Sequence, residues 1–249
     1  VGVDSRPLLC TALKPVGLGT GELAALAGQI ALGGVDIIKE DHGLTDQPFA
    51  RFSDRVARCA EAVRQSNSRT GYHCLYVPNI TAPADQLFDR AYVAKRLGAG
   101  GVMIAPGLAG WDAIRRLAAD AAFGLPIFSH PAWLGTLVIS PDQGLSHQVV
   151  FGQLPRLAGA DATIFVNSGG RFPFSQQDCL GIVAGATSAL GPYPPIFPVP
   201  AGGMTLDRLA EMHQVYGAQV IFLIAGGLYA YGPDLAENAR QFRRQVETL

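Results

Sequence analysis

The chain has 249 residues, 49% of them hydrophobic, with 19 basic and 20 acidic residues and a formal net charge of -1. This is enough apolar material for a full core, arranged as one α/β barrel or as two small domains. Near-neutral charge argues against nucleic acid or an anionic membrane surface as the main partner, and no apolar run of ~18 residues is present to span a bilayer.

The chain opens VGVDSRPLL, close to its first strand, with no initiator Met and no signal peptide; an N-terminal portion is therefore expected to be missing. A first apolar run predicts a strand over 8–13, with Lys14 just past it. GTGELAALAGQIAL then predicts a helix with Leu23, Leu26, Ala27 and Ile30 on one face. The second strand is predicted over 34–38 and runs into Lys39, Glu40, Asp41 and His42. After the helical stretch RFSDRVARCAEAVRQ, a third strand over 73–77 leads to Pro78 and Asn79. PADQLFDRAYVAKRLG precedes a fourth strand over 101–105, which ends without an ionisable group. WDAIRRLAADAAF precedes a fifth over 126–129, followed by His130. HQVVFGQLPRLAG leads to a sixth over 161–166, which ends in Asn167, Ser168, Gly169, Gly170 and Arg171. SQQDCLGIVAGATSALG leads to a seventh over 195–199, followed by Ala201, Gly202 and Gly203. TLDRLAEMHQVYG leads to the eighth over 219–224, followed by Ala225, Gly226 and Gly227, and DLAENARQFRRQVETL closes the chain as a helix. Several of these helices open on Thr, Ser or Asp as N-cap.

Eight strand-then-helix units predict a single-domain (β/α)8 TIM barrel over residues 1–249. A doubly wound open sheet is the runner-up. In a barrel the chemistry belongs at the C-terminal ends of the strands and in the loops after them. Only three of the basic residues are lysines, Lys14, Lys39 and Lys95, and two of these stand at strand ends. An amine spared from general solvation and placed there suits nucleophilic or proton-transfer work, although a lysine snorkelling from a strand end accounts for either one alone. Residues 39 and 41 share a strand face, where oxygen ligands would suit Mg²⁺. Lys39 itself becomes a ligand only as a carbamate formed with CO2; unmodified, it suits a Schiff base. His42 is a third ligand, better matched to another divalent metal than to magnesium, or a solvated loop residue. His130 is an acid–base or a structural histidine, while His73, His147 and His213 read as structural. The Gly-Gly pairs 169–170, 202–203 and 226–227 fall in three adjacent loops and suit a phosphate or other anion; tight turns would also explain them. The four cysteines, Cys10, Cys59, Cys74 and Cys179, lack CxxC spacing, as expected of reduced thiols in a cytoplasmic protein.

The segment GGVDIIKEDHGLTDQPFARFSDRVARCAEAV resembles the second-strand region of the ribulose-bisphosphate carboxylase (RuBisCO) large subunit, whose pattern is close to GG-D-KDDE-QPF-R-R. TALKP, VPNITAP, ADATIFVNSGGRF, PVPAGG and IAGGLYAYGPDLAENAR extend the resemblance over essentially the whole chain. It implies that Lys14 handles the enolisation proton, that Lys39 is the carbamylated lysine, and that Asp41 is a Mg²⁺ ligand. It makes His130 an active-site histidine, puts Asn79 and Ala201 in the substrate site beside Gly169 and Gly170, and makes Gly202, Gly203, Gly226 and Gly227 phosphate-binding.

The departures matter equally. His42 replaces the second carboxylate ligand, Pro131 a phosphate-gripping arginine, and Arg171 the lysine of the sixth loop. Ala201 replaces a serine, and Gly17 a lysine. CO2 fixation on ribulose bisphosphate is not expected of such a site, and a substrate with one phosphate is. HPAWLG and NSGGRFPFS are similar to the non-photosynthetic branch of the RuBisCO-like proteins. That resemblance implies enolisation or isomerisation of phosphorylated keto sugars, or C–C cleavage of a keto sugar acid such as 3-oxo-isoapionate 4-phosphate by a transcarboxylase/hydrolase. It also implies a homodimer in which a separate N-terminal domain completes the neighbouring site. The remaining alternatives are a metal-free Schiff-base lyase and a degenerate barrel that binds a phosphorylated metabolite without turnover.

Overall fold

The computed structural model describes residues 2–3, 5–140, 142–170 and 172–249. Eight parallel strands, β1 (Leu8–Ala12), β2 (Ile37–Lys39), β3 (Leu75–Val77), β4 (Val102–Ile104), β5 (Ile127–Ser129), β6 (Ala162–Val166), β7 (Phe197–Ala201) and β8 (Ile221–Leu223), form one sheet in the order β3-β2-β1-β8-β7-β6-β5-β4. β1 lies between β2 and β8, the first strand beside the last. The remaining seam, β3 to β4, is closed by an Asn79–Met103 bridge and by the bonds Gly100 N–H to Tyr76 O (2.8 Å) and Ile80 N–H to Met103 O (3.0 Å). The sheet is therefore a ring, and the (β/α)8 barrel holds over the doubly wound alternative.

Alternation along each strand sorts the core into two layers. Cys10, Ile37, Val77, Met103, Phe128, Ile164, Val199 and Leu223 pack together inside the barrel. Leu9, Ile38, Tyr76, Ile104, Phe165 and Phe222 face outward into the larger layer beneath the helices. The same alternation carries to the strand ends and past them: Lys39, the last residue of β2, continues the inward face of Ile37, and beyond β1 and β5 Lys14 continues that of Cys10 and His130 that of Phe128.

The helices are α1 (Thr20–Leu32), α2 (Phe52–Thr70), α3 (Ala84–Arg96), α4 (Pro106–Ala109), α5 (Trp111–Ala118), α6 (Leu154–Leu157), α7 (Gln176–Thr187), α8 (Leu209–Tyr216), α9 (Gly226–Ala230) and α10 (Leu235–Glu247). Ser175 caps α7, its hydroxyl accepting the Asp178 N–H at 3.1 Å, and Asp234 caps α10 by accepting the Glu237 N–H at 3.0 Å. Thr20 is already helical; Gly19 takes the cap position, and its N–H is held by Glu22 at 2.8 Å. The predicted single helix over 147–159 divides into a π-helical stretch, Gln148–Gln153, and α6. β2 starts three residues later than predicted, and β7 extends to include Ala201.

At the N-terminal end of the barrel, buried Asp36 binds both terminal regions. It accepts Arg6 Nη1 and Nη2 at 2.7 and 2.8 Å, the Leu9 N–H at 2.8 Å and Arg243 Nη1 at 3.1 Å. Arg243 belongs to α10, so one carboxylate ties the last helix to the first two strands. Removing it leaves the buried Arg6 guanidinium without its carboxylate, while Arg243 keeps Glu247 at 2.6 Å. Asp36→Ala is expected to cost about 3–5 kcal/mol, read from urea denaturation; a loss below about 1 kcal/mol, the range of an exposed pair, would refute this role.

Candidate active site at the barrel mouth

Strands β1 and β2 bring three of the expected residues together. Lys14 Nζ lies 3.0 Å from Asp41 Oδ2, and Asp41 Oδ1 accepts the Gly43 N–H at 2.9 Å. His42 Nδ1 is 3.5 Å from Asp41 Oδ1. Lys39 is buried and its Nζ donates to the Glu40 carbonyl at 2.9 Å. β5 supplies His130, whose ring stacks on His42 with centroids 4.6 Å apart and planes inclined by 20°. His130 Nδ1 accepts the Ala132 N–H at 3.1 Å, which leaves the proton of the neutral ring on Nε2.

Burial pushes the Asp41 carboxyl up, but the Gly43 N–H and the Lys14 ammonium outweigh it and hold the group below the usual aspartate range. Burial pulls Lys39 below the ordinary lysine value, and the Lys14 charge adds to the effect against the attraction of Asp41. His130 is held well below its ordinary value, first by burial and then by Lys39, His42 and Lys14. His42 is lowered by burial against the pull of Asp41.

The glycine pairs meet on the other side of the mouth. Gly203 sits at φ 64°, and a Cβ there would lie 3.2 Å from the Gly170 Cα. A Cβ on Gly227 would lie 2.5 Å from the Met204 carbonyl oxygen. The three loops therefore pack backbone against backbone, which only glycine permits, while Gly202 and Gly226 face open space. Ala201 ends β7 with its side chain on the interior face. Asn79 is buried, and its amide is engaged by loop backbone: Nδ2 donates to His42 O at 2.9 Å, and Oδ1 accepts the Thr81 N–H at 3.1 Å. Arg171 lies outside the described residues.

Three further residues, none of them expected as a site residue from the sequence, bear on the mouth. Arg208 donates to Gly203 O at 2.9 Å beside Gly169, clamping the sixth and seventh loops together. Tyr229, on the helix that begins with Gly226, donates to Ala12 O at 3.1 Å and accepts the Lys14 N–H at 3.3 Å. It links the last glycine pair to the Lys14 backbone. Glu40 faces away from the barrel interior, fully buried against Arg55.

Unmodified, these side chains do not make a metal centre: no group of three His, Cys, Asp or Glu suited to a cation occurs among the described residues. Asp41 and His42 supply two donors. The set fits a divalent cation on the condition that Lys39 contributes a carbamate oxygen.

A family model described as "Ribulose bisphosphate carboxylase large chain, catalytic domain" matches residues 1–171. The chain belongs to this family. It is 42% identical over 247 residues to the 5-methylthioribulose-1-phosphate isomerase of Rhodospirillum rubrum, covering 97% of this chain and 63% of that protein. It is 31% identical over 249 residues to the 2,3-diketo-5-methylthiopentyl-1-phosphate enolase of Bacillus pumilus, covering 100% of this chain and 61% of that one. Among solved structures, the Rubisco-like protein from Rhodopseudomonas palustris matches with a TM-score of 0.88 at 39% identity, covering 99% of this chain and 65% of that chain. The chain thus spans somewhat less than two thirds of the length of these relatives, and within the family its similarity runs to RuBisCO-like proteins.

The low His130 value has a stability consequence. The unfolded chain binds a proton at this residue as pH falls below 6.5, while the folded chain resists it. Stability therefore falls on acidification, by up to about 1.4 kcal/mol per pH unit from this group. Urea unfolding of the wild type and of His130→Gln at about pH 5.5 and about pH 7.5 is expected to show a shallower acid-side loss in the variant; equal losses would contradict the assignment.

Proposed function

We propose that the chain is the catalytic barrel of a RuBisCO-like enzyme that forms an enediolate from a phosphorylated keto sugar or keto sugar acid, without fixing CO2. The observation that carries this reading is the meeting of Lys14, Lys39, Asp41 and His130 at one mouth, facing glycine loops with open positions at Gly202 and Gly226. Two relatives named for enolisation and isomerisation of phosphorylated methylthio sugars support it.

In this reading the substrate phosphate binds the N–H groups of the glycine loops. Lys14, in contact with solvent, takes the proton from the carbon beside the ketone as its uncharged amine and then holds it as the ammonium paired to Asp41. His130, neutral and with its proton on Nε2, donates toward the developing oxyanion. Burial lowers the Lys39 value and so favours its uncharged amine, the form that reacts with CO2 to give a carbamate. Lys39 as carbamate, Asp41 and His42 would hold a divalent cation, which supplies electrophilic stabilisation of the enediolate when bound. His42 in place of a carboxylate favours a softer ion than Mg²⁺. Pro131, where the family pattern has an arginine, removes a second phosphate contact and so favours a substrate with a single phosphate. Isomerisation or C–C cleavage follows according to the substrate's next bond.

The assembled protein is proposed to be a cytoplasmic homo-oligomer. Its support is an apolar surface where the β4 and β5 loops meet: Trp133 and Ile139 are 72% and 82% exposed, alongside Leu108, Leu137 and Leu145. No helix of the described residues is long and apolar enough to cross a membrane.

Lys39→Ala in the full-length protein is expected to lower turnover at least about 100-fold on whichever of 5-methylthioribulose 1-phosphate, 2,3-diketo-5-methylthiopentyl 1-phosphate and 3-oxo-isoapionate 4-phosphate the wild type converts. Turnover preserved in that variant would sink the reading. For the cation, competition calorimetry with Mg²⁺ and Mn²⁺ in bicarbonate buffer should show His42→Glu moving relative affinity toward Mg²⁺. An unchanged ratio would remove His42 from the ligand set.

A further inference from the structure

The residue between the two inward-facing groups of β2 is itself a buried carboxylate. Glu40 is 0% exposed and points into the apolar layer beneath the helices, where an ionised group is costly unless fully paired. Each of its oxygens takes two donors. Oε1 accepts Arg55 Nε at 2.6 Å and the Tyr76 hydroxyl; Oε2 accepts Arg55 Nη2 at 3.2 Å and the Asn79 N–H at 2.9 Å. Burial alone would lower the Arg55 value, and the Glu40 charge more than reverses this. The Tyr76 hydroxyl is pushed well above its ordinary value, by burial first and then by Glu40.

Arg55 has donors left, and they reach both arms of the loop that follows β2. Nη2 donates to Thr45 O at 2.6 Å, and Nη1 donates to Ala50 O. Asn79 holds the same loop from β3, donating to His42 O at 2.9 Å and Leu44 O at 3.4 Å. Regular strand pairing of β2 ends at Lys39, and one further backbone bond, Glu40 N–H to Val77 O at 3.1 Å, follows it. Beyond that point side-chain bonds anchor Asp41 and His42 to the barrel. An apolar pair of similar volume would fill this space without the desolvation cost. It would not fork to two carbonyls while fixing a strand residue.

We propose that Glu40 and Arg55 are positioning residues that set the placement of Lys39 and Asp41 from outside the barrel. The inference rests on the reading of those two residues as the reactive centre. Glu40 and Arg55 touch no substrate; they act through the backbone on which Lys39 and Asp41 stand.

The test uses Glu40→Asp and Arg55→Lys in the full-length protein. Both keep the charges, and both lose reach: a shorter carboxylate in one, a single ammonium in place of a fork in the other. Tyr76→Phe, which removes one hydrogen bond to Glu40, serves as the milder variant if either fails to fold. The barrel's own three lysines make lysine ε-¹³C labelling a direct probe, each signal assigned by a Lys→Arg replacement. In cooperatively folding variants, the Lys39 and Lys14 signals are expected to move or broaden while that of Lys95 stays in place. kcat should fall roughly 10–100-fold, as for other supporting residues behind a reactive group, with KM little changed. Unchanged Lys39 and Lys14 signals in folded variants would overturn the proposal, as would full turnover in them. A separate arm with [¹³C]bicarbonate examines the wild type for a lysine carbamate. Its absence would count against the proposed chemistry, while the lysine signals still decide the positioning role.

Discussion

Strand β2 must turn Lys39 and Asp41 inward, and alternation then forces Glu40 outward into an apolar layer. The Glu40–Arg55 pair makes that arrangement tolerable. With every carboxylate oxygen engaged and the guanidinium forked onto two loop carbonyls, the desolvation cost of two buried charges is offset by bonds that also fix the loop. The mouth depends on this pair because β2 is short and its regular pairing stops at Lys39.

The electrostatics inside the mouth follow from unequal numbers. One carboxylate, Asp41, faces Lys14 and His42, the His42 ring stacks on His130, and Lys39 stands two residues before Asp41 on the same face. Burial and the mutual repulsion of the basic groups hold Lys39 and His130 below their ordinary values, whereas Asp41 stays ionised. Such a centre is short of negative charge and suited to receiving it, as a carbamate, an enediolate or a substrate phosphate at the glycine loops. Arg208 is bonded to the seventh loop beside Gly169, and Tyr229 ties the last glycine pair to β1, so the glycine loops and Lys14 share one frame.

Much of this was legible in the residues. Eight apolar runs gave the strands to within a few positions, because a parallel strand buried on both faces is a continuous apolar segment. Lys14, Lys39, Asp41 and His130 stood out as polar residues directly after such runs. The contributions of Arg55, Tyr76, Arg208 and Tyr229 were not legible. Arg55, Tyr76 and Tyr229 each lie on a helix or strand separated in sequence from their partners. Arg208 reaches back only five residues, but to a backbone carbonyl. An arginine or tyrosine in such a segment looks like any surface residue. Ser175 and Asp234 behaved as their types suggest at helix starts, while Gly19 displaced Thr20 because Glu22 could cap its N–H. The six-residue π-helical stretch had no signal in a helical pattern; within it Gly152 packs closely against Ile182 and Gly185 of α7.

By itself the sequence determined the unit that repeats, the inward or outward sense of each strand residue and the types of group at each strand end. These follow from local periodicity and composition, which a chain carries wherever it folds. Tertiary structure decided that the ring closes between β3 and β4, that Lys14 pairs with Asp41, that His42 stacks on His130, and that Glu40 belongs to Arg55. Those outcomes depend on distances between segments tens of residues apart, set only when strands of fixed register bring their ends to one rim.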